Sequence, residues 1–197
     1  LRGWDPSRSI IRVIHNGIDL KQFQKSNNLR KILNISRSKI LIGMIGRVSR
    51  YKGHEDLIIA IAELTKKDRD RFTLIIIGKE ANKFEFQRLK SLAKNLKVLD
   101  NIIFHGFWNG DIKDAINQLD VLAMLTKDFE GFGYTIAEAM SCFTPVVCTD
   151  VGAVKEFINS DLVTLLPPED PSSIANFLMS YLKNKSIYLQ KAVLAEK

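Results

Sequence analysis

The sequence predicts an α/β fold, a parallel sheet of about six strands with helices on both faces. Three observations predict it. Short apolar runs alternate with longer amphipathic segments, most runs end in glycine or a polar residue, and each intervening segment is long enough for a right-handed crossover between parallel strands. The runs are KILIGMIG (39–46), FTLIIIG (72–78), NIIFHG (101–106), LDVLAML (119–125), TPVVCTD (144–150) and LVTLL (162–166). They read as buried strands. Between them, 54–67, 82–96, 110–118 and 134–142 carry apolar residues at three- and four-residue spacing, as helices that cover a sheet do. After PPEDPSS, whose prolines and acids mark a loop and a helix start, residue 174 to the end reads as helix. The segment before residue 39 reads as an initial strand, a turn at Asn16-Gly17 and a short helix.

With 197 residues, 46% hydrophobic and 26% charged, the chain fits one domain (1–197) with a sizeable core. No apolar run approaches the roughly 18 residues that suggest a membrane span, and the N-terminus has no apolar signal-peptide core. The opening without methionine is read as that of an excised part of a longer protein. A net charge of +7 raises nucleic acid as a partner, but the basic residues are spread over the polar faces of helices and lack interleaved aromatics. Nucleic-acid binding is therefore not expected. Cys142 and Cys148 have the spacing of neither a zinc site nor a redox pair, so buried reduced thiols in a cytoplasmic protein are expected.

In such a sheet, ligands bind beyond the carboxyl ends of the strands. At GRVSRYKGHEDLIIAI, a strand ends at Gly46, Arg47 emerges, and Lys52 and Gly53 precede a helix. A rigid guanidinium fork beside a movable ammonium suits a diphosphate, although an exposed basic loop would look the same. At KDFEGFGYTIAEAM, Gly131 and Gly133 are read as permitting a tight turn, and the first amides of the helix beginning near Tyr134 form an anion site built from backbone. Glu130 and Glu138 flank that turn. Carboxylates there either stabilise a helix dipole or accept hydrogen bonds from vicinal sugar hydroxyls.

Taken in order, VIHNGIDLKQF, GRVSRYKGHEDLIIAIAEL, LIIIGKE, IIFHGF, DFEGFGYTIAEAMSCFTPVVCTDVGAVKEFI and LLPPEDPSSIA resemble the retaining nucleotide-sugar glycosyltransferases of the group-one type. The resemblance covers nearly the whole chain. It is to the C-terminal, donor-binding half of the two-domain GT-B fold, a Rossmann-like domain, and Glu130 and Glu138 match the family's E-x7-E motif. It implies that Arg47 and Lys52 hold the diphosphate of a UDP- or GDP-linked sugar, Glu138 the ribose and Glu130 the transferred sugar. The amides of Gly131, Phe132 and Gly133 would lie against sugar and phosphate, and Phe107 near the nucleobase. Arg47, Lys52 and the helix dipole would stabilise the departing diphosphate, without metal or other cofactor, as a glycan or lipid-linked acceptor attacks the face it vacates. His15, His54 and His105 are read as loop or packing residues. The N-terminal acceptor half is expected to be absent from this chain, which would then bind donor and transfer nothing. The complete protein would be cytoplasmic, with possible peripheral association at the inner membrane face.

Three departures from the family pattern bear on sugar specificity. LTKD replaces Pro-Ser before the acidic loop, Phe143 stands where glycine is usual and is expected to pack against the sheet, and Ala153 and Lys155 replace the glycine and proline of GG-x-P-E. Three alternatives share parts of this pattern. A nicotinamide-binding domain fails because GFGYTI lacks the third small residue of the fingerprint. A sugar-nucleotide epimerase half and a non-catalytic nucleotide-binding scaffold would share the cleft.

Overall fold

The computed structural model of the chain describes Ile14, residues 16–18 and residues 29–195. Six strands form one sheet: β1 (Ile40–Ile45), β2 (Phe72–Ile77), β3 (Ile102–Gly106), β4 (Val121–Met124), β5 (Val146–Thr149) and β6 (Thr164–Leu166). Their order is β3-β2-β1-β4-β5-β6, and each neighbouring pair is parallel. The chain thus winds outward from β1 to β3, returns past β1 to β4, and winds outward again. Between β1 and β4 the direction of winding reverses, which opens a crevice at their carboxyl ends.

Helices cover both faces because alternate strand residues point opposite ways. On one face Ile42, Met44, Leu74, Ile76 and Ala123 pack under α2 (His54–Glu63), α4 (Glu85–Asn95) and α8 (Pro171–Leu194). On the other, Leu41, Ile75, Ile77, Leu122 and Cys148 meet α1 (Leu29–Ile32), α5 (Ile112–Ile116), α6 (Tyr134–Ser141) and α7 (Val154–Phe157). Every residue of β2 is buried, so its apolar run shows no alternation with polar residues. Cys142 and Cys148 are free and buried, and burial pushes both thiols up to about 12. Among the described residues no helix is long and apolar enough to cross a membrane.

The structure corrects several boundaries. The helix predicted over 54–67 breaks at Leu64, whose backbone is extended, and α3 (Lys66–Arg69) restarts behind Thr65, whose side chain accepts a hydrogen bond from the Asp68 amide. α7 was not expected, since four residues carry too little periodicity to read. Asn16 and Gly17 are exposed and show no regular structure, while the initial strand and His15 lie outside the described residues.

Phe143 does not pack against the sheet. It closes α6 at φ +56°, in the left-handed region, with 44% of its surface exposed. Its amide donates to the Met140 carbonyl (3.0 Å) and the Thr144 amide to the Ala139 carbonyl (2.9 Å), a helix ending that favours glycine. Phe143→Gly should therefore stabilise the fold by about 0.5–1 kcal/mol, the relief of left-handed strain less some lost burial. A thermal melt checks this, and an unchanged or lower midpoint would contradict it.

Candidate functional site

A cleft of about 670 Å³ opens at the reversal point, lined by Gly46, Arg47, Lys52, Glu130, Gly133 and Tyr134 among others. β1 delivers Gly46 and Arg47 to its floor. Arg47 is exposed, with its head group available to a ligand. The chain then makes a 3-10 turn at Arg50–Lys52, and Gly53 begins α2 at φ +69°. A methyl group on Gly53 would overlap the Leu125 carbonyl and stand 2.8 Å from the Leu125 Cβ. Only glycine allows α2 to begin this close to the end of β4, and that approach brings Lys52 to the opposite wall.

There Lys52 Nζ donates to Glu130 Oε2 at 2.6 Å, and the Thr126 hydroxyl donates to the same oxygen at 3.2 Å. The cation predicted for the diphosphate and the carboxylate predicted for the sugar are thus already in contact.

The loop that carries Glu130 is tied down at several points. Thr149 Oγ1 donates to the Thr126 carbonyl at 2.5 Å, the Lys127 amide to the Tyr51 carbonyl at 2.7 Å, and the Ala153 amide to the Glu130 carbonyl at 3.0 Å. Gly152, at φ +57°, lies directly against the Glu130 backbone. The Lys127 side chain meets Glu55 (2.8 Å), Asp56 (3.3 Å) and Glu169 (3.3 Å). Lys127 therefore faces the start of α2 and the segment before α8, so the LTKD departure puts no side chain of Lys127 into the cleft. Ala153 serves through its backbone amide, and Lys155 pairs with Asp150 at 2.5 Å.

Gly133, at φ +74°, precedes α6 and needs its missing side chain, since a methyl there would stand 3.2 Å from Ile136 Cδ1. Gly131 differs from the sequence expectation. It has no positive φ, and an added methyl would meet only Phe129 Cε1 at 3.9 Å. The first amides of the eight-residue α6 have no acceptors within the helix and add partial positive charge to the cleft wall. Gly131, Phe132 and Glu138 do not line this cleft. The Phe132 ring packs edge-on against Tyr134 at 5.0 Å. Glu138 is half-buried in the second turn of α6, beyond the first turn where a dipole partner would sit, and its charged neighbours are Lys113 and Asp111. Burial raises its carboxyl above the usual range, with Asp111 adding to the rise and Lys113 opposing it.

A second cleft of about 590 Å³ adjoins the first, sharing Gly46 and Arg47, and is walled by Lys79, Phe107, Trp108 and Asp111. Lys79 Nζ sits 4.5 Å from the centre of the exposed Phe107 ring. Trp108 Nε1 donates to the Asp111 carbonyl at 3.0 Å, which fixes an indole beside that ring. The two clefts together form a crevice that is cationic in the middle and aromatic at one end.

Sequence reasoning missed Trp108 and His54 as parts of these walls, and buried Thr126 as the hydroxyl that holds Glu130. Trp108 follows Phe107 directly, and Thr126 precedes Glu130 by four residues, so both lay within reach of the motifs. His54 is only 3% exposed, borders the first cleft and has no hydrogen-bond partner at Nδ1. Burial lowers its pKa to about 4.

Residues 25–194 match the family model described as glycosyl transferases group 1. The uncharacterized glycosyltransferase MJ1607 of Methanocaldococcus jannaschii is 31% identical over 173 residues, which are 84% of this chain and 43% of that protein. The crystal structure of Anabaena Alr3699/HepE in complex with UDP-glucose superposes with a TM-score of 0.84 at 25% identity, over 94% of this chain and 51% of that one. The C-terminal domain of a glycosyl transferase group 1 family protein (LpcC) from Francisella tularensis superposes at 0.78 with 26% identity, covering 91% and 95%. The chain spans about half the length of the curated relatives it matches. It belongs to the group 1 glycosyl transferases.

Proposed function

We propose that this chain is the donor-binding half of a retaining glycosyltransferase that takes a hexose from a nucleoside-diphosphate sugar without a metal ion. The observation that carries the reading is the convergence of Arg47, Lys52 and the N-terminus of α6 on one cleft, with Glu130 at its edge. Two cations and a helix dipole supply the positive character that a divalent ion would otherwise bring to a diphosphate. The aromatic end of the crevice, at Phe107 and Trp108, suits a planar base. Glu138, whose charged neighbour Asp111 lies on the wall of that second cleft, takes the ribose hydroxyls, and Gly131 and Phe132 contribute through the backbone that leads into α6. HepE is complexed with UDP and with UDP-glucose, so these are the first ligands to try.

Transfer itself falls to the complete protein, in which an acceptor-binding half faces this crevice and a glycan or lipid-linked acceptor supplies the nucleophile. Buried reduced thiols at Cys142 and Cys148 suit a cytoplasmic protein, at the inner membrane face where its acceptor is a lipid.

Calorimetry of the chain in EDTA, with UDP, GDP and their sugar conjugates, tests the reading. Binding is expected without metal, and Arg47→Ala should weaken it by about 1.5–3 kcal/mol, roughly ten- to hundredfold, at an unchanged melting temperature. Binding that required magnesium or manganese, or an Arg47→Ala variant with parental affinity, would count against it.

A further inference from the structure

Lys52 and Glu130 have been given to different parts of one donor, yet in the structure they hold each other. The pair is close at 2.6 Å, with side chains 32% and 17% exposed, and Thr126 Oγ1 lies 3.4 Å from the ammonium and 3.2 Å from the carboxylate. Neither partner is free to drift, because Gly53 fixes the backbone beside Lys52 while Gly152 and Ala153 fix that of Glu130. A diphosphate that draws the ammonium to itself draws it away from Glu130.

We propose that the Lys52–Glu130 pair makes the site selective for the intact sugar nucleotide over the free nucleoside diphosphate, a reading that rests on the donor site argued above. When a sugar nucleotide enters, its diphosphate takes the ammonium and its sugar hydroxyls donate to the carboxylate left behind. Both charges stay partnered. A free nucleoside diphosphate takes the ammonium and offers Glu130 nothing in return. The carboxylate then keeps the Thr126 hydroxyl alone, having lost its ion pair. Because the pair is partly exposed and partly screened, the discrimination it supplies is about three- to tenfold. Once the sugar has left, the pair re-forms and favours release of the spent diphosphate.

The test is a titration of the parent, Glu130→Gln, Lys52→Met and the double variant with UDP, GDP, UDP-glucose, GDP-mannose and inorganic pyrophosphate. Glutamine keeps the size of the side chain, and Glu130→Ala serves as a second variant if glutamine unsettles the loop. In Glu130→Gln the dissociation constants of the nucleoside diphosphate and of pyrophosphate should fall three- to tenfold, and that of the sugar nucleotide should rise. In the Lys52→Met background the tightening should vanish, because no captive ammonium remains to be released. Unchanged or weaker diphosphate binding in Glu130→Gln overturns the proposal and leaves the donor site standing. Equal tightening in the Lys52→Met background overturns it too, by showing plain repulsion from the carboxylate. A parent that bound none of the five ligands would remove the donor site and the proposal together.

Discussion

Gly152→Ala is expected to lower the melting temperature by roughly 4–20 °C and to weaken sugar-nucleotide binding about tenfold, while touching neither cleft directly. Gly152 sits at φ +57°, where any other residue is strained by about 1–2 kcal/mol. The added methyl would also overlap the Glu130 carbonyl oxygen and stand 2.7 Å from the Glu130 amide nitrogen, so backbone must move. Displacing a packed backbone costs about 1–3 kcal/mol more, which brings the sum to about 2–5 kcal/mol. The moving segment carries Glu130, whose carbonyl loses its alignment with the Ala153 amide and whose carboxylate loses Lys52. The loss should therefore fall on the sugar nucleotide more than on the nucleoside diphosphate. Gly131→Ala is the comparison, since Gly131 has ordinary φ and room for a methyl, and its melting temperature should stay within about 2 °C of the parent, as for a surface substitution. Equal melting temperatures for Gly152→Ala and the parent would show that the 130 loop does not lean on Gly152.

That contrast also shows where the sequence was legible. The strands could be read because burial on both faces leaves near-continuous apolar runs, and Phe72–Ile77, apolar but for Thr73, is buried from end to end. Crossover length and handedness indicated parallel strands, but their order, with its reversal between β1 and β4, could be located only once the pairings were known. Arg47, Lys52, Glu130 and Gly133 could be placed near one another because glycines at strand ends and helix starts are local signals. What could not be read is pairing across distance. Lys52 and Glu130 are 78 positions apart in the chain, and nothing local says that they touch. Lys127 is another such case, since its three carboxylate neighbours come from α2 and from the segment before α8. Glycine roles were misjudged where the decisive neighbour is remote: Gly131 was read with Gly133 as permitting a tight turn, whereas Gly152 is the one pressed against the Glu130 backbone.

His54 yields the last expectation, a loss of stability in mild acid. The ring is 3% exposed at the start of α2, between the Ser49 carbonyl, Lys52, Glu85 and Arg88. Burial opposes its charged form, and Arg88 and Lys52 oppose it further, while Ser49 and Glu85 favour it; the outcome is a pKa of about 4 against an ordinary 6.5. Above pH 6.5 the ring is neutral in folded and unfolded chains alike, so it adds no pH dependence. As the pH falls from 6.5 toward 4, the unfolded chain binds a proton that the folded one refuses, and stability drains away until the folded ring titrates as well. The full loss is about 3 kcal/mol. Asp56 acts in the opposite sense, because burial raises its carboxyl and favours proton uptake in the folded state, and Glu138 does the same. The comparison that isolates His54 is therefore a difference between two proteins. Urea unfolding of the parent and of His54→Asn, followed from pH 7 to pH 4, should show the steeper fall in the parent. The two curves should converge or cross as the pH drops. Parallel curves across that interval would mean that His54 is charged in the folded protein or takes no part in its acid response.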